Sequence, residues 1–245
     1  MQASHEEQLD PKAARMLAIF AEQRFQRSRS NQRMRMRMLT WMIRTKIIHN
    51  LKRGLDVSVA SAMIVVSSPL MVGTVIAIKL DSPGPVLFHQ VRVGKDGEHF
   101  ACYKFRSMYI DAERRKAELM AKNEADGPVF KMKDDPRITR VGRIIRKLSI
   151  DELPQLFNVL KGEMSLVGPR PAIPSEVDRY TYEQIGRLHA TPGITGLQQV
   201  SGRSNLDFKR WVELDLKYIA EQSLWKDLEI LIKTVPAVLF TRGAY

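Results

Sequence analysis

The ten residues Lys104–Glu113, KFRSMYIDAE, bring two cations and two carboxylates onto one short stretch. Lys104 and Arg106 end an alternating segment that predicts a strand, and Asp111 and Glu113 follow at a strand-to-helix junction. Carboxylates at such a junction are favoured simply by the positive end of the helix dipole. The chemical alternative is that the cations hold a phosphate while one carboxylate attacks it or binds a divalent ion and the other moves a proton. A diphosphate substrate needs both halves, because its charge must be neutralised before an anionic nucleophile approaches.

Other anion-binding candidates lie downstream. DPRITRVGRIIRKLS spaces Arg137, Arg140, Arg143, Arg146 and Lys147 three and four residues apart, which makes one basic face if the stretch is helical. The same residues also suit an ordinary solvated face. In GPRP, Arg170 stands between two prolines on a stiff loop, so it loses little entropy on engaging an anion. PGITG and SGR add glycines whose backbone can come close to a ligand, with Arg203 beside them. No phosphate-loop or dinucleotide fingerprint is present, no Ser/His/Asp constellation stands out, and the five His show no metal spacing. Cys102 is the single cysteine, which excludes an intrachain disulfide framework and reads as a small buried residue.

The elements that must position these groups begin with an apolar run. Val57–Ile78 is 22 residues without a charge, long enough to cross a bilayer as a helix of about 20 residues. Pro69 removes a backbone donor at its centre, so a kink or break is expected near Ser67–Ser68, with the serine hydroxyls serving the freed carbonyls. Both flanks are basic: Arg44, Lys46, Lys52 and Arg53 before the run, Lys79, Arg92, Lys95, Lys104 and Arg106 after it. Matched charge favours two half-helices that enter and return over a kinked crossing, with both flanks cytoplasmic. The run begins too late for a cleaved secretory signal.

Residues 1–30 are polar and helix-favouring, and RMRMRMLTWMIRTKIIHNLKR continues into an interfacial amphipathic helix or a solvated basic linker. After the run, VLFHQVRVG and HFACYKF flank a KDGE turn and predict a hairpin. Helices are expected around 111–125, over DELPQLFNVLKG, near 175–189 and from about 207 to 240. In DELPQLFNVLKG, Asp151 reads as the cap, with Ser149 as an alternative and Glu152 as its box partner. The division is a basic arm over 1–45, a membrane helix-break-helix over 46–80 and a cytoplasmic domain over 81–245.

The net charge of +12 calls for an anionic partner, and residues 1–53 hold 12 Lys/Arg against 4 Asp/Glu. Basic charge abutting an apolar run reads first as attraction to anionic lipid headgroups. Nucleic acid is disfavoured, because no recognition module or aromatic platform accompanies the charge and aromatics are 7%.

YKFRSM…DAE, LSIDELPQLFNVLKGEMSLVGPRP, PGITGLQQVSGRS and ELDLKYI together resemble the bacterial sugar transferase family, the monotopic phosphoglycosyl transferases. The resemblance covers about residues 46–240 in the family's order. It implies an α+β fold, mainly helical, with an interfacial and re-entrant membrane helix and a catalytic domain carrying a small antiparallel hairpin. Ser68 and Pro69 match the family's membrane bend. The implied activity moves a hexose-1-phosphate from a nucleotide-diphosphate sugar, typically a UDP-hexose, to polyprenyl (undecaprenyl) phosphate with release of UMP. It initiates exopolysaccharide, capsule, O-antigen or glycan assembly at the bacterial inner membrane. An aspartate attacks the β-phosphate with Mg²⁺ at the aspartate and diphosphate, and the resemblance points to Asp111 as nucleophile and metal ligand and Glu113 as its partner. Lys104, Arg106, Arg137, Arg170 and Arg203 are the expected substrate contacts. Small members carry adjacent Asp-Glu, whereas here Ala112 intervenes, a variant associated with larger members; Gln198 stands where many have Trp. A homo-oligomer is compatible with all of this, and the alternative is a membrane-tethered scaffold without catalysis.

Overall fold

The computed structural model describes residues 11–119, 132, 134–202 and 206–239. The chain divides into two units, Met1–Leu51 and Lys52–Tyr245, and the boundary falls within the first helix, α1 (Pro11–Asp81). In the first unit, Met34, Met36, Met38, Leu39, Trp41, Met42, Ile43, Ile47, Ile48 and Leu51 are all exposed. At about 100° per residue they are distributed around the helix.

In the second unit, α1 carries the apolar run. It is the one described helix long and apolar enough to cross a membrane, by length and composition. Val65, Val66 and Leu80 are 72%, 81% and 84% exposed, so the run is not a buried core helix. The chain is helical from Pro11 to Asp81 with Pro69 inside the helix, so of the expected kink or break, no break interrupts it. Pro69 deprives the Val65 carbonyl of its usual donor four residues on, and the Ser68 hydroxyl supplies one at 2.8 Å. Ser67 Oγ likewise donates to Met63 O at 2.6 Å.

Lys52 and Arg53 also depart from expectation. Instead of extending the basic flank towards headgroups, Lys52 Nζ donates to Asp227 Oδ2 at 2.6 Å and to Val167 O at 3.4 Å. Arg53 donates to the carbonyls of Val159 and Leu160, the last turn of α4 (Gln155–Lys161), where a cation also suits the helix dipole. Asp56, buried, accepts from Ser165 Oγ at 2.8 Å and Leu166 N at 3.2 Å. The base of the apolar helix is thus wired into the body by buried ion pairs and hydrogen bonds.

The predicted hairpin forms from β1 (Leu87–Val93) and β2 (His99–Phe105), with Gln90 opposite Cys102 and Phe88 opposite Lys104. A second small sheet, absent from the sequence reading, pairs β3 (Ser165–Val167) and β4 (Gly193–Thr195) in parallel. Its closeness explains the glycines of GPRP and PGITG. A Cβ on Gly193 would stand 2.0 Å from Gly168 N, so glycine is required where the two backbones meet. Ala60, Phe100, Cys102, Leu156, Val159, Leu166, Val167, Tyr218 and Ile230 form the main core, which places the cysteine where expected.

Residues 120–125 of the helix expected around 111–125 lie outside the described residues. α2 is described over Ala112–Leu119, and α3 covers Arg140–Lys147, capped by Thr139, whose hydroxyl accepts from Gly142 N at 2.9 Å. The 175–189 region is α5 (Pro174–Val177), α6 (Tyr182–Ile185) and a 3-10 turn. α7 (Leu197–Ser201) precedes α8 (Phe208–Ala220) and α9 (Leu224–Leu239), so the single C-terminal helical region breaks around 221–223.

Candidate active site

The hairpin register decides which cations meet. Side chains alternate across a strand, so residues paired directly opposite share a face. Pairing of 88 with 104, 90 with 102 and 92 with 100 puts Arg92 and Lys104 on the same face as Cys102. Next to that face lies a small open cleft whose lining includes Arg92, Lys104, Glu152, Gln155, Arg170 and Gln199. Two of the sequence candidates, Lys104 and Arg170, therefore meet in one place.

The carboxylates they meet were not the expected ones. Ser149, in a left-handed conformation with φ of 56°, ends α3 and turns the chain into a 3-10 turn over Ile150–Glu152. Neither Ser149 nor Asp151 caps α4; Pro154 stands at its N-terminus, and Gly162 ends it at φ 88°. The turn instead presents Glu152 to Lys104, Nζ to Oε1 at 2.7 Å, and buries Asp151. Burial pushes the Asp151 carboxyl up to about 6, only partly offset by Lys104. At Glu152 burial also acts upward, but Lys104, Arg170 and Arg92 overcome it and hold the group down at about 2. Two adjacent carboxylates driven apart in this way are suited to divided roles in nucleophilic and acid–base chemistry.

Arg170 is exposed on a loop fixed at three successive carbonyls. Pro169 O accepts from Gly193 N at 2.9 Å, Arg170 O from Arg187 at 3.4 Å and Pro171 O from Arg92 at 2.8 Å. Arg187 is itself buried against Asp215, at 2.7 Å, and Tyr180. Burial raises the Asp215 carboxyl to about 6 despite that partner.

Asp111 and Glu113 are not among the cleft residues. Asp111 accepts from Arg115 Nε at 2.8 Å, and Arg114 lies 3.5 Å away. Desolvation acts upward there, but the hydrogen bond and charge of Arg115 together outweigh it, so its carboxyl sits below the usual range. Glu113 is exposed in the first turn of α2. Arg137 is buried in a two-pronged pair with Asp135 at 2.6 Å and lies outside α3, so it is not part of a continuous basic helix face. Its carbonyl accepts from Tyr109 N at 2.9 Å, which steadies the turn before Asp111. Arg106 is buried too, donating to the carbonyls of Ser82 and Pro83 just beyond α1. These two arginines therefore brace backbone and do not line the cleft. Ser68 and Pro69 lie within α1, and Arg203 lies outside the described residues.

Sequence reasoning treated Asp151 and Glu152 as helix-capping residues and counted Arg92 only as flank charge. A usable signal existed, because residues 151–152 are the single adjacent Asp-Glu in the chain. Gln198, at the expected aromatic position, is buried with its side-chain oxygen unpartnered. A metal would need donors that fit it. Mg²⁺ is ordinarily held by one or two carboxylates plus substrate phosphates; Glu152 lines the cleft and the buried Asp151 is its neighbour in the chain, while no cluster of three or more metal-type donors occurs among the described residues.

Comparison with known proteins bears on this arrangement. The profile of the family described as bacterial sugar transferase matches residues 47–241. The galactosyl transferase CpsE of Streptococcus agalactiae serotype III is 48% identical over 194 residues, covering 79% of this chain and 43% of CpsE. The undecaprenyl-phosphate galactose phosphotransferase of Salmonella typhimurium is 46% identical, over 80% of this chain and 42% of that protein. This chain thus spans less than half the length of both relatives. The exopolysaccharide production protein ExoY of Rhizobium meliloti is 40% identical over 198 residues, 79% of this chain and 88% of ExoY.

Proposed function

Because the chain belongs to the bacterial sugar transferase family, we propose that it transfers a hexose-1-phosphate from a nucleotide-diphosphate sugar to polyprenyl phosphate, with Asp151 and Glu152 as the reacting pair. The observation that carries this is the cleft, in which one carboxylate of an adjacent Asp-Glu pair meets Arg92, Lys104 and Arg170. The three cations neutralise a diphosphate, and the pair supplies the nucleophile and its partner. An oxygen of Asp151 forms a bond to the β-phosphorus, and the bond from that phosphorus to the bridging oxygen breaks, releasing the nucleoside monophosphate. The sugar phosphate is then an acyl phosphate on Asp151. An oxygen of polyprenyl phosphate attacks the same phosphorus, displacing the carboxylate and forming the lipid diphosphate sugar. Glu152, held by Lys104, is suited to assist the incoming lipid phosphate. Asp151 and Glu152 would be the residues to hold Mg²⁺, which when bound would supply additional charge neutralisation.

The apolar helix supports a membrane-bound acceptor. Its end at Asp81 is tied to the body, since Asp81 Oδ2 accepts from Val141 N at 3.1 Å and Arg106 holds Ser82 and Pro83. A lipid-borne phosphate at the headgroup plane is then within reach of a body fixed to that helix. The reading carries the inner membrane, a cytoplasmic catalytic face and a UDP-hexose donor with release of UMP. The test is UMP release from the full chain in detergent with Mg²⁺, undecaprenyl phosphate and a panel of UDP-sugars. Asp151→Asn is expected to abolish transfer while Asp111→Asn retains it. The opposite pattern moves the reacting group to Asp111, and no release with any donor refutes the transferase reading.

A further inference from the structure

Two neutral amide side chains, Gln155 and Gln199, line the cleft and are left unused by the transfer steps, and of the two it is Gln199 whose oxygen is buried without a partner. Gln199, on α7, lines the cleft beside Arg92, Lys104 and Arg170. Its Nε2 donates to Ile194 O at 3.3 Å, which orients the amide, because the reversed group would set two oxygens against each other. Its Oε1 is buried and has no hydrogen-bond partner. The strand-to-helix turn beneath it is tight, since a Cβ on Gly196 would stand 2.8 Å from that oxygen and 2.3 Å from Gly168 O. A buried acceptor without a donor is disfavoured unless something else completes it.

The surroundings narrow what that is. Arg92, Lys104 and Arg170 are donors that suit phosphate oxygens, and Glu152 is already engaged by Lys104. Phosphate oxygens of an ionised diphosphate carry no proton to give. The group attached to the reacting β-phosphate is the hexose, which is rich in hydroxyls. We infer that Gln199 is a specificity-determining residue whose carboxamide oxygen accepts a hydrogen bond from one hydroxyl of the donor hexose. The inference rests on the reading of the cleft as the donor site. A site built around one substrate hydroxyl rejects the analogue lacking it, because its own polar group is then left unpaired.

The experiment compares wild type and Gln199→Leu on the accepted UDP-hexose and its single-deoxy analogues. Wild type is expected to lose about 10-fold or more in kcat/KM with one particular deoxy donor and much less with the others. Gln199→Leu is expected to process the full and that deoxy donor alike, losing the preference while the ratios for the other positions stay unchanged. Gln199→Met provides the same comparison if the leucine variant does not fold, as judged by thermal melting. An unchanged preference profile in a folded variant overturns the role of Gln199 alone. Absence of wild-type turnover with every donor overturns the transferase reading itself.

Discussion

Replacing Lys104 by methionine tests the electrostatic logic of the cleft most directly. Lys104 lies 2.7 Å from Glu152, and both side chains are mostly buried, at 20% and 28% exposure. It is the foremost of the charges that hold Glu152 at about 2 and it also opposes the rise of Asp151 to about 6. A hydrogen bond to a charged group is worth about 1.5–3 kcal/mol, and 1.36 kcal/mol corresponds to about one pH unit, so its loss moves the pair upward by about one to two units. The reaction needs the carboxylates ionised, so activity is present above the pair's upper pKa and is lost as pH falls through it. Wild type should lose kcat/KM with an acid limb near about 6, and Lys104→Met near about 7 to 8. UMP release followed from about pH 5 to about pH 9 reads the limb separately from the plateau. The plateau also drops, because a phosphate contact is gone, while Lys104→Arg should keep the limb close to wild type. A uniformly lower profile with its limb unmoved refutes the claim that Lys104 sets the ionisation of the pair.

Lys52→Met leaves Asp227 buried at 1% side-chain exposure without its cation and should cost about 3–5 kcal/mol, read as a lower melting temperature of the full chain. Gly193→Ala sets a Cβ 2.0 Å from Gly168 N and should prevent the parallel pairing, seen as loss of folded protein or a cost of about 3 kcal/mol in denaturant unfolding. Ser68→Ala removes the donor to Val65 O and should destabilise α1 by about 0.6–1.7 kcal/mol; in a Pro69→Ala background, where the backbone supplies that donor, the cost should nearly vanish. Cysteines at positions 40 and 85 should label from the same membrane face if the apolar run enters and returns, and from opposite faces if it crosses.

Much of the organisation was legible before any coordinates. The uncharged run, the alternating strands around KDGE and the glycine after DELPQLFNVLK are local signals, and they yield a helix without the expected break, the expected hairpin and the expected helix end. The family was legible as well, because its motifs are contiguous in the chain and match over residues 47–241. What local pattern could not supply was the destination of a charge. Lys52 and Arg53 look identical to headgroup-facing residues until Asp227 and the end of α4, more than 100 positions away, are brought against them. Arg106 and Arg137 look like free cations until the backbone they brace is in place.

The sequence alone determined that a long apolar helix, a hairpin and several basic, glycine- and proline-marked loops occur in this order. Tertiary structure alone decided which carboxylates the cations serve. Asp111 is satisfied by Arg115 on its own helix, whereas Glu152 meets Lys104 from the hairpin and lines a cleft with Arg92 and Arg170. The physical reason is that a charge interacts over a few ångströms of space and not of chain, so its partner is chosen only when folding closes the intervening loop.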